Sequence, residues 1–310
     1  YGIDISFVIP AYNAASTLSR AIDSVLSQPY DLKRIEVIVV DDNSSDGTWS
    51  IVQDYEARFP GLVRSARTPQ QSGTPALPRN TGLEMAHGEY VFFLDADDWI
   101  GEKAVPLMLE RAVEWNSDVL VVKIIGEGGR EAPKSMFEWS HPQVDVFTSK
   151  VVWTLGPYKL FRRSLVQDIR FPDFMPEDMS FVIRAYAKAN VVSVAADHDY
   201  YHLSAQVGEK NASVTSWVDV ETNLKAYEDI FGFIGETLPE KECNQILLRR
   251  VLRRDVCNTL TTIGQNPDHE CACSQLQRLM GIVGPYVDLE NLGEASEREI
   301  GLLAAAFAPD

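Results

Sequence analysis

The sequence has few cysteines, and their arrangement does not match the common metal-binding patterns. Four occur among 310 residues, all in the last quarter of the chain, and no two of them form a CxxC pair. A zinc site completed by His269 is disfavoured, because this spacing does not suit a closed tetrahedral centre. We expect reduced thiols packed in a helical region. The cysteines are Cys243, Cys257, Cys271 and Cys273.

Long apolar runs and an excess of positive charge are also missing. No segment approaches the roughly 18 apolar residues that span a bilayer. The start of the chain lacks the basic residues and apolar core of a signal peptide. We therefore expect a cytoplasmic protein, and peripheral attachment to the inner face of the cell membrane stays open. The formal net charge of −17 disfavours nucleic acid as a partner, because an acidic surface repels a polyanion.

The first part of the chain alternates strand and helix signals. Apolar runs rich in β-branched residues are typical of strands covered on both faces. Helical spacing follows them, first after Ser16, which we expect to cap a helix, then from Thr48, and then over 79–86. The pattern predicts an α/β fold with a mainly parallel sheet and helices on both faces, in which the loops after the strands share one edge. The predicted strands are 6–9, 35–40, 63–65 and 90–94, followed by one more helix and strand over 102–122 and by extended segments over 191–194 and 199–203.

The character of the sequence changes after Trp217, where long helical patterns replace the alternation. We therefore predict an α/β domain over residues 1–215 and an α-helical C-terminal domain over residues 216–310. No internal repeat or low-complexity segment interrupts either part. The predicted C-terminal helices cover 220–234, 240–263, 273–283 and 296–307.

An acidic cluster directly follows the predicted strand over 90–94. Asp95 and Asp97, separated by Ala96, can present hard oxygen ligands to a divalent ion that also binds a diphosphate. Such an ion stabilises the negative charge that develops on a departing nucleoside diphosphate. Acidic residues also cap helices, and Asp98 is a candidate for that role.

Four motifs occur in a fixed order along the predicted sheet. They are FVIPAYN over 7–13, VVDDNSSDGT over 39–48, PRNTGL over 78–83 and GEYVFFLDADD over 88–98. This series resembles the inverting glycosyltransferases of family two, which have the Rossmann-like GT-A fold. The resemblance covers roughly residues 3–205 and does not extend to the predicted helical domain.

The resemblance implies a binding site for a nucleotide-sugar. A carboxylate matching Asp41 accepts a hydrogen bond from uracil, which favours a uridine diphosphate (UDP) sugar. A guanidinium matching Arg79 suits the diphosphate or a base edge. The segment matching residues 10–13 packs on the base, and an aromatic ring can stack there. These four residues are Pro10, Ala11, Tyr12 and Asn13.

The same resemblance assigns the acidic cluster and a possible third metal ligand. The residue matching Asp95 contacts the donor sugar or ribose, and the one matching Asp97 binds Mn²⁺ or Mg²⁺. Some relatives place a histidine at the position of His202, where neutral imidazole would serve as a third ligand. Structural roles for these side chains, such as a turn aspartate or a core histidine, are the alternatives. Lys210, Ser213 and Thr215 lie on a segment that could close over the donor.

The second half of the resemblance supplies a catalytic base and an acceptor side. In the family's "ED" motif the residue matching Asp178 takes the proton from the acceptor hydroxyl, with Glu177 as the second candidate. A helix N-terminus stabilises an ionised carboxylate there, although a capping role is the simpler alternative. We expect a basic acceptor-binding surface at Lys159, Arg162 and Arg163.

The predicted activity is therefore metal-dependent, inverting hexosyl transfer from a UDP-sugar to a hydroxyl. The loop over 72–80 resembles that of enzymes acting on polyol-phosphate cell-wall polymers such as wall teichoic acid, so we expect a polymeric or lipid-linked glycan as acceptor. A nucleotidyltransferase is disfavoured, because the loop after the first strand is not a glycine-rich, lysine-bearing loop. An inactive scaffolding relative is disfavoured because all acidic motifs are present. A homo-oligomer and a longer parent chain stay open.

Overall fold

The computed structural model describes residues 2–205, 219–238, 250–287 and 295–307. The chain divides into two compact units. The first comprises residues 1–145, 154–173 and 177–211, and the second comprises 146–153, 174–176 and 212–310. The predicted domain boundary after residue 215 lies outside the described residues, as do Lys210, Ser213 and Thr215.

The first unit is built on a seven-stranded sheet in the order β3-β2-β1-β4-β8-β6-β9. All pairings in it are parallel except those of β8, which runs antiparallel to β4 and to β6. A three-stranded sheet has the order β5-β10-β7. The strands in the described part of the chain are β1 Ile5–Ala11, β2 Ile35–Asp41, β3 Val63–Arg67, β4 Tyr90–Phe93, β5 Trp99–Ile100, β6 Val119–Val122, β7 Ile124–Gly126, β8 Leu160–Arg162, β9 Val192–Ala195 and β10 Tyr201–Leu203.

The strand order places a switch point beside β1. Strands β2 and β3 lie on one side of β1, and β4 lies on the other. In open α/β sheets the crevice at such a point, outside the carboxyl ends of the strands, is where ligands bind. The predicted mainly parallel sheet with helices is confirmed, and β5, β7 and β8 are strands that the sequence pattern did not predict.

Helices cover the sheet close to the predicted positions. The cap of the first helix is not Ser16 as expected, because the helix begins one residue later with Thr17 at its cap position and no side-chain cap hydrogen bond. The third begins at Ala76, three residues before the predicted start. The helices of this unit are α1 Leu18–Leu26, α2 Thr48–Arg58, α3 Ala76–Met85, α4 Ala104–Glu114, α5 Arg163–Val166 and α6 Glu177–Lys188, with a 3₁₀ turn at Leu32–Arg34.

Close packing fixes α3 and α6 against the centre of the sheet. A Cβ atom built on Gly82 of α3 would lie 2.3 Å from Val8 Cγ1 of β1, so only glycine permits this approach. On the other helix, the Phe181 ring packs edge-on against Phe93 of β4 at a centroid distance of 5.4 Å. The aromatic contacts continue to Phe161 and Phe171. These contacts bring the start of α6 beside the end of β4.

The second unit is helical in its described C-terminal part. Arg278 joins two of its helices through ion pairs with Glu221 and Glu228. Among the described residues no helix combines the length and apolar character that a membrane span requires. Cys257 is buried as expected, whereas Cys271 and Cys273 are exposed rather than packed. The helices are α7 Val220–Thr237, α8 Cys257–Gly264, α9 His269–Val283 and α10 Glu297–Phe307, with a π-helical turn at Val251–Val256 and 3₁₀ turns at Lys150–Trp153 and Gly284–Tyr286.

Candidate active site

The loops after β1 and β2 are tied to each other at the switch point. Asn13, which follows β1 with a φ of 48°, donates from its backbone N–H to Ser44 Oγ at 2.9 Å. Its side-chain oxygen accepts from the backbone N–H of Ser45 at 2.9 Å. Tyr12 is 46% exposed beside this link. The two loops therefore form one edge, with an aromatic ring open to a ligand.

Asp41, the last residue of β2, is completely buried, but only one of its two carboxylate oxygens has partners. Its Oδ2 lies 2.9 Å from Arg67 Nε and accepts from the backbone N–H of Ser44 at 3.2 Å. Its Oδ1 is buried without a hydrogen-bond partner. A buried acceptor left unpaired costs about 1–3 kcal/mol. The orphaned oxygen therefore marks a position where a donor group on a ligand would be stabilised.

Three carboxylates meet after β4. Oxygen atoms of Asp95, Asp97 and Asp98 lie within 4.8 Å of one another. Asp98 is buried, and it accepts from the Tyr201 hydroxyl at 2.6 Å and from the Ser204 backbone N–H at 2.7 Å. Burial, followed by the charges of Asp95 and Asp97, raises the pKa of Asp98 to about 8. Such mutual repulsion is what a hard divalent cation relieves, so the donor set fits Mn²⁺ or Mg²⁺.

The buried Arg79 of α3 connects this acidic cluster to the start of α6. Its Nη2 donates to Asp95 Oδ1 at 2.9 Å, and its Nη1 donates to Glu177 Oε1 at 2.7 Å and to Asp178 Oδ1 at 3.0 Å. Burial alone would lower the pKa of this guanidinium, but the three carboxylates raise it well above its ordinary value. Arg79 is thus a fixed cation that joins the two acidic motifs.

The two carboxylates of the ED motif have different environments. The side chain of Glu177 is 2% exposed, whereas that of Asp178 is 35% exposed. Burial and the charge of Asp178 raise the pKa of Glu177 well above its ordinary value, although Arg79 opposes this shift. Glu177 Oε2 is also buried without a hydrogen-bond partner. The two carboxyl groups therefore differ in access, and Asp178 is the one that a ligand can reach.

A family model described as "Glycosyl transferase family 2" matches residues 6–171, which is more than half of the chain. The chain belongs to glycosyl transferase family 2. The matched region contains the orphaned Asp41 oxygen, Arg79 and the three-carboxylate cluster, and it ends before the ED motif.

Two curated proteins have sequences similar to that of this chain. A poly(ribitol-phosphate) β-glucosyltransferase from Bacillus spizizenii is 40% identical over 234 residues, which are 74% of this chain and 36% of that protein. The poly(ribitol-phosphate) β-N-acetylglucosaminyltransferase TarS from Staphylococcus aureus is 36% identical over 212 residues, 67% of this chain and 37% of that protein. The chain thus matches little more than a third of the length of these relatives.

A solved structure supports the same fold assignment. The crystal structure of residues 1–349 of S. aureus TarS in complex with UDP-GlcNAc has a TM-score of 0.80 and 28% sequence identity to this chain. The match covers 98% of this chain and 90% of that structure. The GT-A fold predicted from the motif series is therefore confirmed.

His202, the predicted third metal ligand, contacts two other side chains of the protein. Its Nδ1 lies 2.8 Å from Glu127 Oε1, and its ring stacks on Trp99 with a centroid distance of 5.1 Å. Within the described residues, the three side chains close enough to hold one metal ion are Asp95, Asp97 and Asp98, and His202 is not among them. The role of His202 as a metal ligand stays a prediction. The alternative role of Asp98 as a helix cap is wrong, because strand β5 follows and Asp98 accepts hydrogen bonds from Tyr201 and Ser204 instead.

The expected basic acceptor surface is not present as one surface. Lys159 is completely buried, donates to the backbone carbonyl of Gly156 and lies over the rings of Tyr158 and Tyr186. Burial lowers the pKa of Lys159 to about 7, although Asp178 opposes this shift. An amine enclosed in this way cannot contact a polymer in solution.

Arg162 and Arg163 lie at the opposite edge of the sheet from the acidic cluster. Arg162 is paired with Tyr90 at the start of β4, and the side chain of Arg163 donates to the backbone carbonyl of Gly88 at 2.7 Å. At the rise of an extended strand, the distance from this end of β4 to Asp95 is roughly 20 Å. The antiparallel direction of β8 is the reason, because each step along β8 leads away from the site.

The sequence analysis did not identify two side chains that contact the candidate site residues. Arg67, which pairs with Asp41, comes at the end of a weak strand signal and belongs to no motif of the family. Tyr201 reaches the acidic cluster from β10, far away in sequence. Only the register of β3 beside β2, where Arg67 pairs with Asp41, could have indicated the first of these.

Proposed function

We propose that this chain is a glycosyltransferase that moves a sugar from a UDP-sugar to a hydroxyl group on a polyol-phosphate polymer of the wall teichoic acid type. The observation that carries the proposal is the shared contact of Asp95 and Asp178 with Arg79. This contact supports the proposal that a candidate base lies beside the predicted donor site. The names of the two curated relatives and the UDP-GlcNAc in the TarS complex support the substrate class.

The donor nucleotide is recognised at the ends of β1 and β2. The unpaired Asp41 Oδ1 is an acceptor suited to the N3–H of uracil. Tyr12 is exposed next to the Pro10–Ala11 end of β1 and offers a ring for stacking on the base. A uridine nucleotide satisfies both features. The contact of Arg79 with the diphosphate, suggested by the resemblance, stays a prediction, because three protein carboxylates bind its terminal nitrogens.

A divalent ion, Mn²⁺ or Mg²⁺, would be held by Asp97 and Asp95, with Asp98 behind them. When bound, it would neutralise the diphosphate and stabilise the charge that builds up on the leaving group. The protein's own contribution is to keep these carboxylates close together at the carboxyl end of β4. The Arg20 guanidinium and the Ser204 hydroxyl both donate to the Asp97 backbone carbonyl, which fixes the turn that carries them.

Asp178 is the base in this mechanism. It accepts the proton of the acceptor hydroxyl, whose oxygen attacks the anomeric carbon while the bond to the UDP oxygen breaks. A single displacement of this kind inverts the anomeric configuration. Glu177 is a weaker candidate, because its oxygens are buried and its raised pKa favours the protonated form. Arg79 orients Asp178 toward the donor sugar.

The acceptor binds through groups other than the predicted basic surface, since Lys159 is enclosed and the neighbouring arginines face away from the site. A polymeric or lipid-linked acceptor, a longer parent chain, a homo-oligomer and attachment at the inner membrane face all stay predictions. The relatives' much greater length is consistent with additional acceptor-binding segments outside this chain.

The test is a transfer assay with the purified chain, poly(ribitol phosphate) and either UDP-glucose or UDP-GlcNAc. We expect UDP release that requires both acceptor and Mn²⁺ or Mg²⁺, and a product with the opposite anomeric configuration by NMR. The D178N variant serves as the control and should bind UDP while failing to transfer. If neither donor binds to the wild-type chain, or if the product keeps the donor's configuration, the proposal is wrong.

A further inference from the structure

We propose that Arg67 is a specificity-determining residue that reads a carbonyl group of the uracil base, next to the N3–H accepted by Asp41. The inference rests on the proposed function, because it concerns the nucleotide of the same donor. It assigns the choice between uracil and cytosine to a pair of side chains on neighbouring strands, one of which lies outside every motif of the sequence.

The first observation is the state of Asp41. The side chain is 0% exposed, Oδ2 lies 2.9 Å from Arg67 Nε and accepts from the Ser44 backbone N–H, and Oδ1 has no hydrogen-bond partner. A charged oxygen left in this condition is costly, and a bound N–H donor would remove the cost. The unpaired atom therefore indicates that a ligand contributes the missing hydrogen bond.

The second observation is the position of Arg67. Parallel pairing of β2 and β3 places Arg67 directly beside Asp41. Its Nε lies 2.9 Å from Asp41 Oδ2, its Nη2 donates to the Ser44 backbone carbonyl at 2.8 Å, and the guanidinium lies 5.4 Å from the centroid of the Trp49 ring. These contacts fix the plane of the group while the side chain stays 36% exposed.

The guanidinium retains unused donors in this position. It has five N–H groups in a rigid fork, and no hydrogen bond or ion pair of Nη1 occurs among the described residues. These unused donors therefore belong to a side chain whose Nε lies 2.9 Å from the other oxygen of the Asp41 carboxylate. The two side chains together present one acceptor and one donor at the same edge.

This pair matches uracil and opposes cytosine. Uracil offers an N3–H flanked by carbonyl oxygens at C2 and C4. Cytosine offers an unprotonated N3 and an amino group at C4, so the Asp41 oxygen would face a lone pair and the guanidinium could face N–H groups. A site built to pair with a polar edge rejects an analogue that cannot pair, because its own buried groups stay unsatisfied. Thymine has the uracil pattern at this edge and is not rejected by it.

The experiment measures the affinities of UDP and CDP, each with Mn²⁺, for the wild-type chain and for R67M. We expect the wild type to prefer UDP by at least tenfold, since a hydrogen bond to a charged group contributes about 1.5–3 kcal/mol. R67M should lower the preference by about tenfold or more. The matched control is R58M, on the exposed end of α2, where Arg58 pairs with Asp54. It should leave the preference unchanged.

A purely structural role for Arg67 would weaken UDP and CDP binding equally and leave their ratio unchanged, which would overturn the inference. If the wild type binds no UDP, the proposed function fails instead, so the two failures are distinguishable.

A measurement on the wild type alone covers the case in which R67M does not fold. One of 2-thio-UDP and 4-thio-UDP should bind several-fold more weakly than UDP, because sulfur is the poorer acceptor. Equal affinity for all three would also overturn the inference.

Discussion

Asp95 and Asp178 accept hydrogen bonds from the two terminal nitrogens of one guanidinium, at 2.9 and 3.0 Å. One carboxylate follows β4 in the acidic cluster, and the other begins α6. In the sequence these residues belong to separate motifs, to which the family resemblance assigns donor and acceptor roles. The structure joins them through Arg79, so a change in one carboxylate alters the electrostatic environment of the other.

Replacement of Arg79 should therefore damage both stability and catalysis. In R79Q, the acidic side chains of Asp95, Glu177 and Asp178 lose the buried guanidinium that all three contact, and loss of one partner from a buried ion pair costs about 3–5 kcal/mol. We expect a clearly lower midpoint of thermal unfolding and a fall in kcat of about a hundredfold or more. The matched control is R170Q, since Arg170 forms an exposed pair with Glu84. A stable and active R79Q variant would contradict the proposed role.

Removal of the base should separate binding from chemistry. D178N keeps the size of the side chain but cannot accept the hydroxyl proton, so kcat should fall by about a thousandfold or more. Affinity for UDP with Mn²⁺, measured by calorimetry, should change less than a few-fold. If E177Q caused the larger loss of kcat while D178N stayed active, Glu177 would be the base.

The raised pKa of Glu177 predicts a dependence of stability on pH. A carboxyl group whose pKa is higher in the folded state binds more protons there, so folding loses stability as the pH rises above the ordinary range of glutamate. The neutral E177Q side chain lacks this contribution. The free energy of unfolding of the wild type should therefore fall relative to E177Q as the pH rises from about 4.5. Chemical denaturation at several pH values measures it, and a constant difference would contradict the assignment.

Lys159 should show the opposite trend. Its pKa of about 7 lies below the ordinary value of 10.5, so the unfolded chain binds more protons between these values. The stability of the wild type relative to K159M should therefore rise between pH 7 and pH 10, and K159M should have its largest relative advantage at or below pH 7. Denaturant titration of both proteins tests this. A difference that does not vary with pH would show that the amine is not enclosed.

Metal removal should weaken nucleotide binding. With chelator present, UDP should raise the unfolding temperature of the wild type much less than it does with Mn²⁺, because the diphosphate then faces uncompensated carboxylates. D97A should respond poorly to UDP even with Mn²⁺. Equal thermal shifts with and without chelator would refute metal dependence.

The parallel sheet and the acidic motifs could be predicted because their signals are local. The run of β-branched residues at β2 and the carboxylates after β4 are consecutive in sequence, and strand direction alone places their loops at one edge. The family resemblance added roles for Asp41, Asp97 and Asp178. The metal and base roles stay predictions that the assays above address.

The acceptor surface could not be predicted because it depended on strand direction. Lys159 and Arg162 are three positions apart and look like one basic group in the sequence. The short strand β8 runs antiparallel, so one is enclosed among tyrosines and the other pairs with Asp118 and Glu89 at the far edge. Pairing between distant segments also determines the Asp98–Tyr201 and Arg67–Asp41 contacts, and no local pattern encodes it.

The reversed strand β8 also has a practical consequence. The start of β4 and the end of β8 emerge together on the side of the first unit that faces away from the acidic cluster, and Glu89 is well exposed there. A cysteine introduced at Glu89 would provide a covalent attachment point for a bead, a chip or a fluorescent label. The chain would then be tethered at the opposite end of these strands from the acidic cluster and the proposed nucleotide site.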